Sequence, residues 1–501
     1  MSSAAFRMLM GAAALTPMMM QPAQAAVHRF HDDHVLGTSF DMAVVGADGL
    51  AATQAMLAAR GAVDRLDLVL SGWRDDSELA ALNRSSGAYA ASPDLFDVIA
   101  ACEAMRSSCG GAFSARLGTV EAVWNKAVMT GAEPDAGELA RVAHQAETAD
   151  VRLDPQARTI DRNGVAFTID ALAKGHIVDA ALAAARRAAP QASGLMVDIG
   201  GDAAFHGAGP GGQPWRVGVA GGGAAENALP SSILALNGGA VATSRSGARD
   251  RLIGGKAYSH LLAPGSGTVA PARLVTVVAE RTAEADALAT AFAVLPAPQA
   301  LAMAQSLPDV ATRIVDGDGA VHTSTSWATL VARSPGSAGH GAPLADCAAA
   351  WPAGFEVTID YDIPQSQSFR ARPPFVAIFI TDSSGTMVRT LTHLGTRPAR
   401  YLDSNYVWYR AFEAKFPNAS LSTVTRPSRA AGQYSMVWDG KDDAGNPVGQ
   451  GRYVINVEMS REHGGHSIQS IPLTLGATPV SGAAAAQTES GPAAAHYGKA
   501  Q

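Results

Sequence analysis

A carboxylate and a hydroxyl stand four residues apart in one strongly helix-forming stretch of the sequence. Thr282 is a suitable N-cap residue, and the Ala- and Leu-rich run behind it predicts a helix that carries Asp286 and Thr290. Residues at this spacing share a helix face, so the two side chains can offer two hard oxygens to one cation such as Mg²⁺, completed by phosphate oxygens and water. In the structural alternative, Thr290 bonds back to a helix carbonyl and Asp286 favours the positive helix end. Taken alone, the pair favours that alternative.

Other residue types in the first part of the chain suit a site for a nucleotide or a flavin. Lys174, directly before Gly175, can neutralise a phosphate, although an ordinary cation at a helix start has the same appearance. Trp73 and Phe113 offer aromatic faces for a flavin ring and are equally suitable as core residues. His260 can act as a base or be a solvated strand histidine. Residue types alone leave both interpretations open.

The composition indicates folded domains and limits the classes of partner. A chain of 501 residues is long enough for roughly two or three domains, each with its own core. Apolar residues make up 47% of the chain and charged residues only 17%, which is the balance of folded domains. The net charge of -7 argues against a general binder of nucleic acid, so we expect no nucleic-acid partner. An anionic substrate would need a local cation or a bound metal.

The N-terminus has the features of a secretory signal peptide. Arg7 provides the weakly basic start, Met8–Leu15 the short apolar stretch, and Ala23–Ala26 the small residues of a cleavage site. The alternative is an Ala- and Met-rich leader that is never cleaved. The apolar stretch is too short to span a bilayer, so we expect no stable transmembrane segment. We predict a signal peptide over residues 1–25 and export to the periplasm, with any membrane association made through partner proteins.

Composition divides the rest of the chain into segments. Residues 28–333 alternate helical patterns with short Val-rich strands and predict one domain of helices and strands. Residues 334–350 are rich in small residues and predict a linker. Aromatic and β-branched residues alternate from Phe355 to Tyr361 and in later runs, which predicts an all-β sandwich over residues 351–478. Residues 479–501 offer little to bury, so we expect a disordered tail there.

A series of short segments in the first domain carries residue patterns in a fixed order. They are the Ser/Glu/Asn stretch Ser71–Asn83, the Gly-Ala-Phe turn Gly111–Phe113, the Asp/Lys-Gly/Asp segment Asp170–Asp179, the Gly-Gly-Asp turn Gly200–Asp202, the Ala-Thr-Ser strand Ala242–Ser244, the histidine strand Tyr258–His260, the loop Pro264–Gly267 and the helical segment Asp286–Thr290. Each pattern is weak by itself. The ordered set, which covers the whole first domain, resembles the ApbE family of FAD:protein FMN transferases.

The resemblance implies a fold and a set of site residues. The fold is an α+β ApbE-like domain with mixed sheets and flanking helices over residues 28–333, followed by the sandwich. Mg²⁺ would be held by the backbone carbonyl of Ala171 and by the side chains of Asp286 and Thr290. His260 matches a family histidine beside the reacting phosphates, so His260 and Asp286 are the expected catalytic residues. Flavin and nucleotide contacts would fall on Leu36, Trp73, Ala112, Phe113, Asp170, Lys174 and Leu262.

The resemblance also implies a reaction. It is the Mg²⁺-dependent transfer of FMN from FAD to a Thr or Ser hydroxyl of an acceptor flavoprotein, with AMP as leaving group. The acceptor would carry a motif of the type D-x-x-[ST]-G-A-[ST], and this chain contains no convincing copy of it. The alternatives are a periplasmic FAD-binding protein or FAD pyrophosphatase that releases FMN and AMP without modifying a partner, and an envelope-binding protein on a degenerate enzyme scaffold.

Several positions depart from the family pattern. Ser114 and Ala263 stand where aspartates are usual, Ser266 replaces Thr, and Trp73 replaces the more common Tyr. The loss of two carboxylates beside the nucleotide site would change adenine or ribose contacts, or loosen the loop. The expected metal ligands are retained, which favours FAD binding more strongly than completed transfer.

The second domain carries a weaker resemblance. Gly432–Val448 resembles part of the immunoglobulin-like domain of flagellar hook-cap proteins, so we expect an immunoglobulin-like sandwich that serves as a docking or spacing module. Asp439, Asp442 and Asp443 could bind Ca²⁺, but a turn rich in Asp and Gly explains them more simply.

Overall fold

The computed structural model describes residues 26–500 of the chain, apart from internal gaps. The gaps are residues 222–230, 247–249, 272, 333–348, 366–372, 396–403, 416–424, 427–428, 430, 444 and 462–464. The expected signal peptide and most of the expected linker therefore lie outside the described residues.

The first domain is built on an eight-stranded sheet in which neighbouring strands run antiparallel. Alternate apolar side chains, such as Phe40, Met42 and Val44, point from one face of the sheet into the main core. In their order across the sheet, the strands are β1 (Val27–Val35), β2 (Thr38–Val45), β6 (Gly194–Ile199), β7 (Asp202–Gly207), β10 (Gly239–Arg245), β13 (Arg273–Ala279), β14 (Ala311–Asp316) and β15 (Val321–Thr323).

Long helices cover the face of the sheet that carries Phe40. They are α1 (Gly49–Leu70), α6 (Asp170–Ala188) and α7 (Thr282–Val294), and the main core lies between them and the sheet. Polar N-cap side chains start several helices: Asp48, Ser77, Ser92 and Asp135 each accept a hydrogen bond from a first-turn N–H. The other helices of the domain are α2 (Glu78–Arg84), α3 (Pro93–Ser108), α4 (Gly118–Thr130), α5 (Ala136–Thr148), α8 (Ala297–Ser306) and α9 (Trp327–Leu330).

Short strands complete the domain outside the main sheet. The hairpin of β8 and β9 packs Trp215 and Leu234 against the second face of the main sheet. The hairpin of β11 and β12 joins α4 and α5 in a smaller core that contains Trp124, Tyr258 and Leu262. The strands of the two hairpins are β8 (Trp215–Val219), β9 (Ser232–Leu236), β11 (Arg251–Ile253) and β12 (Lys256–Tyr258). A further small sheet consists of β3 (Ala88–Ala90), β5 (Thr159–Asp161) and β4 (Arg152–Asp154).

Helices α6 and α7 approach each other closely at Gly175. A Cβ atom at Gly175 would lie 2.4 Å from the carbonyl oxygen of Thr282 and 2.7 Å from the Cα atom of Ala283. The carboxylate of Asp179 fixes the crossing, because it accepts hydrogen bonds from the N–H groups of Thr282 (2.8 Å) and Ala283 (3.1 Å). These bonds satisfy free N–H groups at the start of α7 and direct Asp286 toward α6.

The C-terminal region is a sandwich of a four-stranded and a five-stranded sheet around a second core. Helix α10 (Tyr406–Lys415) packs Trp408 and Phe412 on the outer face of the five-stranded sheet. The four-stranded sheet has the order β20 (Gly432–Trp438), β16 (Phe355–Ile363), β24 (Ala493–Lys499) and β23 (Val480–Ala484). The five-stranded sheet has the order β19 (Thr425–Arg426), β18 (Met387–Leu394), β17 (Phe375–Asp382), β21 (Gly451–Ser460) and β22 (His466–Leu475).

The predicted fold class, an α+β domain followed by an all-β sandwich, is confirmed. The immunoglobulin-like character of the sandwich stays a prediction. None of the described helices combines the length and the apolar character needed to cross a bilayer.

The prediction of a disordered tail over residues 479–501 is wrong. Strand β24 pairs with β16 on one side and β23 on the other, so it lies inside the four-stranded sheet. Ala493, Ala495 and Tyr497 are at most 4% exposed and alternate along the strand into the core. Small side chains suffice here because backbone hydrogen bonds on both edges hold the strand, and composition alone does not register that contribution.

The close helix crossing makes a testable prediction for Gly175→Ala. The added methyl group meets rigid backbone of α7, so we expect α6 and α7 to move apart and the free energy of unfolding to fall by about 1–3 kcal/mol. Gly61→Ala is the matched control, since a Cβ there meets nothing within 4 Å on exposed α1 and should stabilise by up to about 1 kcal/mol. Thermal unfolding of both variants measures the difference, and equal effects would contradict the assigned crossing.

The sandwich should lose stability in acid through His393. This fully buried side chain stacks on Trp408 with ring centroids 4.4 Å apart, and burial lowers the pKa of His393 from 6.5 to about 3. Between pH 6.5 and about pH 3 the unfolded chain binds a proton at His393 more readily than the folded chain does. The free energy of unfolding is therefore highest above pH 6.5 and falls as the pH drops, by up to roughly 1.4 kcal/mol per pH unit.

His393→Phe keeps an aromatic ring against Trp408 and removes the titration. Hydrogen exchange of β17 and β21 at pH 7 and pH 4.5 should show a smaller acid-induced loss of protection in this variant than in the unaltered chain. His496→Phe is the control, because that imidazole is 54% exposed. Equal acid sensitivity of the His393 variant and the unaltered chain would refute the assignment.

Candidate functional site

Some of the predicted site residues, at the start of α6 and on the first turns of α7, lie together with Asp202 at the start of β7. The turn Gly200–Gly201, with φ of 61° and 92°, reverses the chain between β6 and β7 and places Asp202 at the start of β7. Asp170 and Lys174 lie in the first turns of α6, and Asp286 points from α7 toward them. Three elements distant in sequence therefore converge on one small volume.

Lys174 pairs with Asp202, one of the two buried carboxylates of this site, and acts electrostatically on the other, Asp286. Its Nζ atom lies 2.7 Å from Oδ2 of Asp202, which is 1% exposed. The N–H of Thr243, on β10, donates to the other oxygen of Asp202 at 3.3 Å. Asp286 is 6% exposed and accepts the backbone N–H of Gly175 at 3.2 Å. The pair of carboxylates and the ammonium group thus form one electrostatic unit.

Burial has the largest effect on the pKa of Asp286. It raises the pKa of this carboxyl well above its ordinary value, the charge of Asp202 raises it further, and Lys174 opposes both. The half-buried Asp198, which accepts the N–H of Gly201 at 2.8 Å, has its pKa raised to about 7, first by burial and then by nearby carboxylates. Three carboxyl groups, those of Asp198, Asp202 and Asp286, therefore share this site with one ammonium group, and a divalent cation bound there would favour their charged forms.

The expected metal ligands lie next to one another. Thr290 stands one turn after Asp286 on α7, and its hydroxyl is 3.2 Å from that of Ser244 on β10. In helix α6 the N–H of Gly175 faces the carbonyl of Ala171, and the same N–H also reaches Asp286, so the carbonyl and the carboxylate are neighbours. Among the described residues, no group of three or more His, Cys, Asp or Glu side chains could hold a metal. The expected ligand set is of another kind, one carboxylate, one hydroxyl and one carbonyl, which would suit Mg²⁺ completed by phosphate oxygens.

Trp73 provides an exposed aromatic surface at the mouth of the site. It is 85% exposed, in the loop between α1 and α2, and its indole N–H donates to Oδ2 of Asp170 at 3.2 Å. Exposure of so large an apolar ring is costly in water, so a ring held in this way is suited to stack on a planar ligand.

The other predicted flavin contacts have different surroundings. Phe113 is 1% exposed and Ala112 7% exposed, and both belong to the main core, so the Phe113 ring is a core residue and only backbone could contact a ligand there. Leu36 occupies the β1–β2 turn with φ of 50°. Leu262 is 5% exposed in the smaller core. His260 is half-buried two residues earlier, in the loop that follows β12.

Sequence reasoning omitted three polar residues from the predicted site. Asp202 belongs to the Gly-Gly-Asp turn, and a carboxylate directly after a pair of glycines is the sequence feature that could have indicated it as a site residue. Ser244 also stood in a recognised segment. Glu121, in the first turn of α4, gave no signal. Burial raises the pKa of Glu121, and Arg251 and Asp170 are its charged neighbours.

The two missing aspartates are accommodated by local hydrogen bonds. The hydroxyl of Ser114 donates to Oε1 of Glu147 at 2.7 Å. Ala263 forms a turn in which its N–H donates to the carbonyl of Thr268 and its carbonyl accepts the N–H of Gly267, both at 2.8 Å. Neither position leaves the adjacent loop without anchoring contacts.

The Asp-rich turn of the sandwich is occupied by protein contacts. Asp439 pairs with Lys441, Asp442 accepts two hydrogen bonds from Asn446, and Asp443 pairs with Lys415. These contacts support the turn interpretation over a Ca²⁺ site.

Two family models match the chain in succession. The model of the ApbE family matches residues 36–314, and a model described as a predicted periplasmic protein (DUF2271) matches residues 356–491. The first match contains every predicted site residue.

Curated relatives and solved structures agree with the first match. A FAD:protein FMN transferase of Treponema pallidum is 28% identical over 279 residues, covering 52% of this chain and 76% of the relative. The FAD:protein FMN transferase of Salmonella typhimurium is 28% identical over 275 residues, with the same shares. In fold, the ApbE protein of Thermotoga maritima has a TM-score of 0.55 at 24% identity, and the apo flavinyl transferase ApbE of Pseudomonas stutzeri has 0.52 at 23%; each match covers 62% of this chain and 100% of the other. The chain belongs to the ApbE family.

Proposed function

We propose that this chain transfers FMN from FAD to a Thr or Ser hydroxyl of an acceptor flavoprotein, in an Mg²⁺-dependent reaction that releases AMP. The observation that carries the proposal is the cluster in which Asp202 and Asp286 are buried beside Lys174, with Thr290 and the carbonyl of Ala171 adjacent. Such a cluster suits a pyrophosphate accompanied by a divalent cation. The curated relatives named FAD:protein FMN transferase support the same reaction.

Each protein group has a definite role in this proposal. Lys174, held by Asp202, neutralises phosphate charge, and the exposed ring of Trp73 stacks on the isoalloxazine. His260 or a carboxylate accepts the proton from the acceptor hydroxyl as that oxygen attacks the FMN phosphorus. Mg²⁺, held by Ala171, Asp286 and Thr290, would supply charge neutralisation of the pyrophosphate and of the AMP leaving group.

We also propose that the protein acts in the periplasm. The second domain matches a family described as a predicted periplasmic protein, and the predicted signal peptide supports the same compartment. The acceptor is expected to carry a motif of the type D-x-x-[ST]-G-A-[ST]. The alternative activity, FAD binding or FAD hydrolysis without protein transfer, is favoured by the departures at Ser114 and Ala263 and is distinguished by the fate of FMN.

Asp286→Asn tests the metal assignment. We expect FMN transfer to fall by at least about a hundredfold, because the charged oxygen ligand is lost. Removal of a buried, desolvated charge should leave thermal stability unchanged or raise it. Mass spectrometry of an acceptor peptide incubated with FAD and Mg²⁺ measures the covalent gain of FMN. Glu284→Gln, on the same helix, is the charge-matched control and should transfer normally.

The same assay separates the two activities. A labelled acceptor supports transfer, whereas release of free FMN and AMP with an unmodified acceptor would replace transfer by hydrolysis. Unchanged, Mg²⁺-dependent transfer by the Asp286 variant would refute the metal assignment.

Trp73→Ala tests the stacking role. The loss of one aromatic stack, worth about 0.5–1.5 kcal/mol, should weaken FAD binding roughly two- to tenfold. Trp73→Tyr should retain most of the affinity, and Leu57→Ala, at a side chain 60% exposed on α1, should retain all of it. Titration of FAD fluorescence measures the dissociation constants. Identical affinities for the Ala variant and the unaltered chain would exclude stacking on Trp73.

A further inference from the structure

The turn that carries Ala112 and Phe113 is tied to α5 through a buried serine. Ser114 follows these residues directly and is 8% exposed. Its hydroxyl donates to Oε1 of Glu147 at 2.7 Å and accepts the N–H of Arg116 at 3.3 Å. Because Glu147 lies 33 residues further along the chain, near the end of α5, this bond joins two separate elements.

The carboxylate of Glu147 is fully engaged by the protein. Its Oε2 atom lies 2.8 Å from Nε and 2.6 Å from Nη2 of Arg106, at the end of α3. The Nη2 group also donates to the backbone carbonyl of Glu147 at 2.7 Å. With Ser114 on Oε1 and Arg106 on Oε2, both oxygens face protein donors, and both charged side chains are less than a quarter exposed. Glu147 therefore acts within the protein and is not aimed at a ligand.

A second ion pair beside it completes the end of α5. Arg116 binds Glu103 through two hydrogen bonds, of 2.9 Å and 2.6 Å, and its Nη1 group donates to the carbonyls of Ala146 (3.4 Å) and Ala149 (2.8 Å). These carbonyls lack helical partners at the end of α5. Each arginine is matched by one glutamate, so the cluster is balanced, and a further buried carboxylate would be unpaired.

The cluster also borders the start of α6. The carbonyl of Ala115 accepts the N–H of Thr168 at 2.8 Å, and Thr168 lies two residues before Asp170. A displacement at Ser114 is thereby transmitted to the segment that presents Asp170 and Lys174.

We infer that Glu147 is a positioning residue for the flavin site, and that serine at position 114 is required by Glu147. Through Ser114 it clamps the Gly-Ala-Phe turn and the start of α6 in one arrangement. Aspartate, the residue usual at this position in the family pattern, would place a second carboxylate about as close as the present 2.7 Å contact. The contact at 2.7 Å thus couples positions 114 and 147. The inference rests on the proposed FAD site.

The experiment combines Ser114→Asp and Glu147→Gln singly and together. Ser114→Asp alone should lower the melting temperature by several degrees and raise the KM for FAD at least about tenfold with kcat little changed, because the turn moves while the metal ligands stay. In the double variant, Arg106 regains a carboxylate at position 114, and the amide introduced by Glu147→Gln can donate to that carboxylate. The KM for FAD should then return to within about threefold of its original value, and the melting temperature to within a few degrees of its original value.

Controls keep the inference falsifiable if Ser114→Asp fails to fold. Ser114→Ala removes only the hydroxyl and should raise the FAD dissociation constant by at most about fivefold, because the lost hydrogen bond of roughly 1 kcal/mol holds the turn in its binding arrangement. Ser107→Asp makes the same exchange at an exposed position of α3 and should change neither the melting temperature nor the FAD dissociation constant. Purely additive effects in the double variant, or unaltered FAD affinity in Ser114→Asp, would overturn the inference.

These readouts also separate the inference from the proposed function. The melting temperature and the FAD dissociation constant, unlike KM and kcat, are measured without an acceptor. A chain that binds FAD with the expected coupling, and never labels an acceptor, would refute transfer and support the role of Glu147.

Discussion

The burial of two carboxylates beside one lysine is the constraint on which the first domain depends. Asp202 comes from strand β7 and Asp286 from helix α7, which crosses α6 at Gly175, where a Cβ atom would meet the backbone of α7. Isolated, such charges would be costly to bury, and Lys174 offsets only part of that cost. The fold therefore keeps two buried carboxyl groups beside a single ammonium group. The hydrogen bonds that Asp179 accepts from the first turn of α7 fix the position of the helix that carries Asp286.

Local patterns in the sequence predicted the parts of the site that lie on single elements. The spacing of Asp286 and Thr290 correctly placed both on one face of α7, and the order of the motifs predicted the fold. Interactions between elements were not accessible in the same way. Nothing near Asp202 indicates that Lys174 is its partner, and nothing near Phe113 decides between a core residue and a flavin contact. Such facts depend on which surfaces meet after folding.

The substitutions that looked most damaging in the sequence have structural compensation. Ser114 and Ala263 each lack a carboxylate, yet Ser114 is held by Glu147, which no motif includes, and Ala263 by backbone hydrogen bonds within its own loop. A motif lists the residue expected at each position separately, whereas the hydrogen-bond donors and acceptors of a folded protein are satisfied by several residues together. Departures from a family pattern are therefore better judged together with the partners that replace the missing contact than by their number.

The interior position of β24 has a consequence for biogenesis. Residues 493–499 separate β16 from β23 in the four-stranded sheet, so that sheet cannot form until this late segment has been synthesised and released. A ribosome or a translocation channel that still holds it keeps β16 exposed on one edge, while the α+β domain already has all of its strands. Closure of the sandwich thus depends on residues 493–499, whereas the main sheet of the α+β domain is complete in sequence at Thr323.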